Sequence, residues 1–212
     1  MLQEYRTVAR AAQAEIVVKR SRFICAVWPV QDREEAEARI AEWSQLHARA
    51  THNVPAFRVG LGYLVEGCSD DGEPAGTAGR PALSVLQKED LRQVAVVVTR
   101  YFGGTLLGAA GLVRAYTDAV VAGLAAAGIV TMRHHTALEI QSPYDLLGKV
   151  QHYIAAAGHP ADPPEYGAEV RWRVWVPTPA VDRTVRDLSE LSAGRLILRV
   201  GEGAYRPVEG KP

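Results

Sequence analysis

The sequence has 212 residues, of which 48% are hydrophobic and 23% are charged. This is the composition of an ordinary globular protein, and it excludes a disordered or fibrous chain. The 24 basic and 24 acidic residues cancel, so net charge does not draw the molecule to nucleic acid or to a membrane, and any such contact must be local. The two cysteines make no disulfide framework, so a cytoplasmic protein is expected.

The longest nearly continuous apolar run, at 119–130, covers 12 residues. A helix needs about 20 apolar residues to span a bilayer. We therefore expect no membrane span and no membrane partner.

The first half of the sequence alternates between strand and helix patterns. Short runs rich in Val and Ile predict its strands, which are 5–8, 14–18, 22–27, 54–59, 62–66 and 94–99. The helical spacing that follows Asp32, with Glu35 three residues later, predicts a capped helix over 32–48. A shorter helix, with a proline in its first turn, is expected at 81–88.

A long apolar helix is predicted after strand 94–99, and Gly128 is expected to end it. Leu112 and Tyr116 share one stripe of this helix, yet Val113 lies elsewhere around it, so the helix is apolar on most sides. Such a helix should be buried.

The second half restarts the pattern. Its strands are predicted at 137–141, 168–176 and 195–200, and its helices at 142–158 and 180–192. One further strand from the proline-rich residues 159–166, which the prolines confine to a sheet edge, would complete a βαββαβ order, the ferredoxin-like arrangement. We predict an α+β protein with two domains, residues 1–131 and 136–212.

The strongest candidate site is the glycine turn, which we define as residues 103–111. Its glycines are Gly103, Gly104, Gly108 and Gly111. Such a turn between a buried strand and a helix start offers backbone N–H groups to an anion, and Arg100 and Arg114 could add cationic donors. The spacing matches neither a phosphate loop nor a dinucleotide fingerprint. Alternatively, the glycines only let the helix pack closely on the sheet.

The second candidate site is the acidic loop, residues 69–79, with the sequence SDDGEPAGTAG. It gathers Asp70, Asp71, Glu73 and Thr77. Three carboxylates could hold a hard cation such as magnesium, or could supply a general base. The spacing of a calcium loop is absent. We expect a rigid turn whose aspartates accept backbone N–H bonds, and no metal site.

His52 lies between the first predicted helix and the next strand. A histidine close to a nucleophile and a carboxylate would suggest catalysis, but sequence separation does not establish contact. We expect a hydrogen-bonded structural residue and keep His52 as a further candidate of the site.

Three segments resemble the YigZ/Impact family: SRFICAVWPV, SDDGEPAGTAGRP and VVTRYFGGTLLGAAGLVRAYTDAV. The resemblance covers essentially the whole chain. It implies a first domain similar to the second domain of small-subunit ribosomal protein five and to the fourth domain of elongation factor G. It also implies a ferredoxin-like second domain similar to that factor's fifth domain. The eukaryotic relatives share only the first domain and act in translational control, where they compete for a ribosome-associated activator of a stress kinase.

The family motifs fall on the candidate residues of both sites. They cover His52, Asp70, Asp71, Gly72, Glu73, Pro74, Gly76, Thr77, Gly79, Arg100, Tyr101, Gly103, Gly104, Gly108, Gly111, Arg114 and Tyr116. Leu106 stands where many relatives have lysine, and Ala110 where they have glycine, so the resemblance implies a weaker phosphate role here. It supplies no catalytic residue to carry over.

Two functions fit these features. The first is a non-enzymatic regulatory protein whose partner is the ribosome, RNA or a translation-associated protein. The alternative is a small-molecule enzyme of the phosphotransfer type, in which the glycine turn holds an anion and the acidic loop supplies carboxylates. We favour the first and expect no cofactor. A single site exists only if the acidic loop and the glycine turn meet in the fold.

Overall fold

The computed structural model describes residues 2–208. The chain folds into two compact units, which divide between Thr131 and Met132. Each unit combines helices with strands, and the strands form two sheets, so the protein belongs to the mixed α and β class.

The first unit is built on an antiparallel sheet. The strands of this unit are β1 (Glu4–Val8), β2 (Ala12–Val18), β3 (Ser21–Pro29), β4 (His52–Val59), β5 (Val65–Cys68) and β6 (Val94–Tyr101). Its helices are α1 (Arg33–Leu46), α2 (Gly79–Lys88) and α3 (Ala109–Ala127). The sheet has the order β2-β3-β6-β4-β5, and each neighbouring pair is antiparallel.

Strand β6 takes the centre of this sheet because its residues are apolar on both faces. The side chains from Val94 to Val98 are fully buried, as expected for a strand that is covered on both sides. The predicted strand 94–99 is present, but it continues to Tyr101. Arg100 therefore lies within β6, one residue beyond the predicted end of the strand.

Helix α1 begins where its capping residues predict. The Asp32 carboxylate accepts the N–H of Glu35 at 2.9 Å, and the Glu35 carboxylate accepts the N–H of Gln31 at 2.8 Å. These bonds satisfy N–H groups that the start of a helix leaves free. The helix ends at Leu46, two residues before the predicted end at residue 48.

Helix α3 covers the sheet with its apolar side chains. Leu112 and Tyr116 are buried in the core of the first unit together with Cys25. Gly123 lies where the helix crosses β3, and a Cβ atom there would be 2.6 Å from the Cys25 Sγ. By length and composition α3 could cross a membrane. One face of the helix packs on the sheet, but Val113 and Val121 are exposed, so the expectation that the helix is buried is only partly met.

The second unit carries the predicted βαββαβ order. Its strands are β7 (Ile129–Ser142), which begins before the division, β8 (Glu165–Tyr166), β9 (Val170–Pro177) and β10 (Ile197–Pro207), and its helices are α4 (Leu147–Ala157) and α5 (Val181–Leu191). Strand β7 pairs with β10 on one side and β9 on the other, and β8 pairs with β9, all antiparallel. Strand β8 is short and exposed, in agreement with its proline-rich surroundings.

Two elements of the second unit begin at places other than those predicted. Strand β7 starts at Ile129, well before the predicted strand 137–141 and before the predicted domain start at residue 136. The helix predicted from Ser142 instead begins at Leu147, after one turn of 3-10 helix at Tyr144–Leu146. Pro143 allows a helical turn to start, but the chain forms the tighter turn first.

Two further strands have shifted boundaries. Strand β10 continues to Pro207, beyond the predicted end at residue 200, and its register against β7 shifts between Val200 and Gly203. A bulge of this kind interrupts the alternation that sequence reasoning depends on. Strand β5 begins at Val65, later than the predicted start at residue 62.

Replacing Gly123 with alanine tests the packing of α3 on β3. Alanine favours a helix over glycine by about 1 kcal/mol, but its Cβ would lie 2.6 Å from the Cys25 Sγ and 2.9 Å from Val27. We expect Gly123→Ala to lower the free energy of unfolding by about 1–3 kcal/mol, the usual cost of overpacking. Urea denaturation measures this change.

Gly148 in α4 is the matched control, because a Cβ there meets no atom within 4 Å. Gly148→Ala should be neutral or stabilising. If Gly123→Ala is as stable as the wild type, the close packing of α3 on β3 is wrong.

Candidate functional site

A buried polar cluster joins the acidic loop to the end of β6. The Glu73 Oε1 accepts a hydrogen bond from Arg100 Nη1 at 2.6 Å and from the Tyr116 hydroxyl at 2.7 Å. Glu73 is 7% exposed, Arg100 is 5% exposed and Tyr116 is fully buried. The acidic loop and Arg100, which lies three residues before the glycine turn, thus meet in the first unit.

Each member of this cluster comes from a different element. Arg100 lies in β6, opposite Phe23 of β3 and His52 of β4. Tyr116 projects from α3 and packs edge-to-face on Phe23, with ring centroids 5.3 Å apart. Burial and the hydrogen bond to Glu73 both raise the pKa of the Tyr116 hydroxyl, so this hydroxyl stays protonated and donates.

His52 borders the cluster. Its Nδ1 lies 2.7 Å from the Asp71 carbonyl oxygen, which can only accept, so this nitrogen carries the proton. The Nε2 atom faces the Glu73 Oε2 at 3.8 Å, a contact that becomes an ion pair when the imidazole is protonated. The structure therefore shows the hydrogen-bonded histidine that the sequence favours, placed at the edge of the buried carboxylate.

The acidic loop is a rigid turn. The Asp70 carboxylate accepts the N–H groups of Gly76, Ala78 and Gly79 at 2.8–3.1 Å. Burial alone would raise the pKa of Asp70, but these three N–H groups outweigh it and hold the pKa below its ordinary value of 3.8. Since Gly79 is the first residue of α2, Asp70 also caps the start of that helix.

The remaining groups of the loop are engaged as well. The Asp71 carboxylate accepts the backbone N–H of Asn53 at 2.5 Å, and the Thr77 hydroxyl donates to the Pro74 carbonyl oxygen at 2.7 Å. Within residues 2–208, no group of three or more His, Cys, Asp and Glu side chains is arranged to hold a metal ion. The carboxylates of the loop point to separate partners and not to one centre.

The glycine turn packs closely against the neighbouring backbone and leads into an exposed helix start. A Cβ at Gly103 would lie 2.0 Å from the Arg20 carbonyl carbon, so this glycine permits contact between backbones. Gly104 and Gly108 have φ angles of 82° and 74°, which favour glycine. Helix α3 begins at Ala109 with no side chain capping its exposed start, so free N–H groups face solvent there.

The other two candidate residues of this site lie on helix α3. Gly111 lies inside the first turn of α3, where a Cβ atom added to it would be 3.1 Å from the Leu107 Cβ. Arg114 is exposed and joins neither the acidic loop nor Arg100 among the contacts of the described residues. Only Arg100 of the two predicted arginines belongs to the buried cluster.

Sequence reasoning missed a second polar chain beside β6. The Trp43 indole N–H donates to the Thr99 hydroxyl at 2.8 Å, and that hydroxyl donates to the Asn53 Oδ1 at 2.7 Å. The predicted site residue Tyr101 is half-buried, and its hydroxyl lies 2.9 Å from the His47 Nδ1. The only sequence signal was a polar Thr at the end of an otherwise apolar strand.

Exposed cations lie on the chain segments next to the glycine turn. We call this set the basic rim, which consists of Lys19, Arg20, Arg49 and Arg114. Arg20 touches Gly103 through its backbone, and Arg49 lies two residues before Thr51, whose N–H donates to the Arg100 carbonyl oxygen. Arg114 lies in the second turn of α3, just after the glycine turn. No residue of the rim has an ion-pair partner among the described residues.

The four cations of the basic rim outnumber the unpaired carboxylate beside them, Asp118, which lies one helical turn after Arg114 and has no ion-pair partner among the described residues. Glu15 pairs with Arg22 at 2.8 Å, and Glu73 pairs with Arg100. The rim is therefore a local positive surface on a protein whose net charge is zero. Such a surface attracts an anionic partner at short range.

Comparison with known proteins places these features in context. The Impact N-terminal domain model matches residues 19–124, and a domain of unknown function, DUF1949, matches residues 140–195. The chain is 36% identical to the IMPACT family member YvyE of Bacillus subtilis (strain 168) over 205 residues, which are 97% of this chain and 94% of the relative. It is 33% identical to the IMPACT family member YigZ of Escherichia coli (strain K12), over 85% of this chain and 90% of that one.

Two further likenesses complete the comparison. A segment of 64 residues is 45% identical to Protein IMPACT of Xenopus laevis and covers 29% of this chain and 20% of that protein. A crystal structure described as that of a hypothetical protein aligns with a TM-score of 0.61 at 30% identity, over 95% of this chain and 98% of its own.

Removing the charge of Glu73 should destabilise the first unit strongly. Glu73→Gln leaves the Arg100 guanidinium buried without a counter-charge, so we expect a loss of about 3–5 kcal/mol in the free energy of unfolding. Tyr116→Phe keeps the ion pair and removes one hydrogen bond to a charged group, so its loss should be smaller, about 1.5–3 kcal/mol. Denaturant titration measures both.

The control is Glu37→Gln, which removes an exposed carboxylate that pairs with Arg33 at 2.7 Å. Exposed pairs contribute about 1 kcal/mol or less. A loss at Glu73→Gln no larger than this would show that the buried ion pair does not hold the site together.

Asp70 should contribute a distinct acid-sensitive component of stability. Its pKa in the folded protein is lowered from 3.8, so its stabilising effect is present above about pH 4 and is lost as the pH falls through the lower folded value. The Asp70→Asn variant has no ionisable side chain at this position. Urea titrations between about pH 5 and pH 2 should therefore show a shallower loss of stability for the variant; parallel curves for the two proteins would contradict this role.

Proposed function

This chain is a member of the IMPACT family, and from that premise we propose that it is a non-enzymatic regulatory protein of translation that binds RNA of the translation apparatus through the basic rim. The expectation of translational control rests on the resemblance to the eukaryotic members. The proposal includes a cytoplasmic location, where ribosomes and their partners are found.

The basic rim is the observation that carries this proposal. Its four cations lie on chain segments next to a turn that leads into an exposed helix start, and two of the adjacent carboxylates, Glu15 and Glu73, are bound to other partners. Lys and Arg side chains together with the N–H groups of a helix start are the groups that contact phosphate oxygens. A polyanion such as RNA matches this surface better than a neutral ligand does.

The state of the polar groups favours binding over catalysis. Phosphotransfer would need a carboxylate that is available to a cation or a base. Asp70 and Asp71 bind backbone N–H groups, and Glu73 is held by Arg100 and Tyr116. These carboxylates therefore stabilise the fold of the acidic loop and its contacts with β6 and α3.

The proposal extends to the fold families of the two units. We propose that the first resembles the second domain of small-subunit ribosomal protein five and that the second is ferredoxin-like. The βαββαβ order supports the second assignment, as do the antiparallel pairings of β7 with β10 and β9 and of β9 with β8. Both families occur in ribosomal proteins or elongation factors, according to the resemblance described for the sequence, which is consistent with a translation-linked role.

Neutralising part of the basic rim should weaken ribosome binding. We expect the double variant Lys19→Gln/Arg20→Gln to co-sediment less with ribosomes. Its RNA affinity should also depend less on salt, because fewer phosphate contacts mean that fewer counterions are released on binding. Glutamine keeps a long side chain at these two positions, whose φ angles are 45° and 68°. Sedimentation and fluorescence anisotropy at two salt concentrations measure these effects.

A matched control removes two positive charges from the opposite end of the sheet. Lys88 ends α2 and Arg33 begins α1, both near the first residues of β6. Lys88→Gln/Arg33→Gln should bind like the wild type. If the wild type binds neither ribosomes nor RNA at low salt, the proposed function is wrong; if both double variants lose binding equally, the effect belongs to total charge and not to the rim.

A further inference from the structure

Phe102 is an exposed aromatic residue between the segments that carry the basic rim: its neighbour Gly103 touches the Arg20 backbone, and its own N–H contacts Thr51. It lies between Tyr101, the last residue of β6, and Gly103, and its side chain is 47% exposed. Its backbone N–H donates to the Thr51 hydroxyl at 3.0 Å. This hydrogen bond and the neighbouring strand end hold the Phe102 backbone in place, while about half of the residue stays exposed to solvent.

The ring of Phe102 rests against a buried cation. The guanidinium carbon of Arg100 lies 5.6 Å from the ring centroid, within the range of a cation–π contact. Arg100 is itself held by Glu73 at 2.6 Å and is almost fully buried. The contact therefore orients the ring from the protein side, while a large part of the ring remains open to solvent.

A fixed aromatic ring between cations is the arrangement that binds single-stranded nucleic acid. The ring stacks on a base, the cations contact the phosphates, and stacking contributes about 1–3 kcal/mol per base. In a duplex, bases are already stacked on one another and are not available to a side chain. Charge and aromatic exposure coincide at Phe102, whereas Tyr63, which is more exposed, follows the far end of β4.

From this juxtaposition we propose that Phe102 is a stacking platform for an unpaired nucleobase of RNA, and that the basic rim holds the flanking phosphates. The inference rests on the proposed function and adds to it the state of the RNA that is recognised: a single-stranded segment, loop or end. The buried Glu73–Arg100 pair then acts as the support that keeps the ring in place.

The test compares a labelled 12-residue oligouridine, the same oligonucleotide with abasic positions, and a 12-base-pair RNA duplex, by fluorescence anisotropy. We expect Phe102→Ala to reduce the affinity for oligouridine about tenfold or more, the range of one stacked base, with little change for the duplex. Phe102→Tyr should retain binding. Tyr63→Ala, the matched control for an exposed aromatic residue, should bind like the wild type.

The abasic oligonucleotide keeps the inference testable even if Phe102→Ala is unstable. It carries the same charge without bases, so the wild type should bind it about tenfold more weakly than oligouridine. Equal binding of the two by the wild type would overturn the inference.

The outcomes separate the inference from the function beneath it. If Phe102→Ala binds oligouridine like the wild type while Lys19→Gln/Arg20→Gln does not, RNA binding stands and the stacking platform is wrong. If Phe102→Ala loses only ribosome co-sedimentation and keeps oligouridine binding, the ring docks on a protein and the inference is also overturned. If the wild type binds no RNA at low salt, the proposed function itself fails.

Discussion

The buried ion pair between Glu73 and Arg100 is the interaction on which the candidate site depends. Taking two charges out of water costs several kcal/mol per ion, and their attraction compensates only with good geometry and further hydrogen bonds. Glu73 meets this condition through the Tyr116 hydroxyl, while the Nε atom of Arg100 has no hydrogen-bond partner. The pair therefore contributes little net stability. Removing either residue alone, however, would leave the other charge buried without a partner.

What the pair does provide is a fixed relation between three distant parts of the sequence. The acidic loop, the end of β6 and the second turn of α3 must all be in place for Glu73 to bind Arg100 and Tyr116 at once. Because Arg100 lies two residues before the exposed Phe102, the buried cluster also fixes where the chain leaves the sheet. A surface that binds without closing a deep cleft needs such a rigid base.

The sequence predicted those features that depend on local pattern. The central strand from Val94 follows from an unbroken apolar run, and α1 follows from Asp32 and its partner three residues on, because both signals lie within a few residues. The same kind of local reasoning predicts that the acidic loop is a rigid turn, since Asp70 accepts N–H groups of residues only six to nine positions later, Gly76 and Gly79.

Features that depend on long-range pairing escaped sequence reasoning. Nothing in the sequence indicates that Glu73 reaches Arg100 while Arg114, an equally plausible arginine, remains in solvent. The second half of β10 pairs with β7 only after a register shift, so its residues lack the alternation that predicts a strand. In both cases, the deciding partner lies tens of residues away in the chain.

The glycine turn shows why a packing role and a binding role need not compete. Gly103 is required because the turn touches the backbone of Arg20, and Gly104 and Gly108 are required by their positive φ angles. Those same constraints press the turn against the basic β2–β3 connection and leave Phe102 on its outer side. Close packing of the backbone thus brings the β2–β3 connection next to Phe102 and the glycine turn. The binding function that we propose depends on this packing.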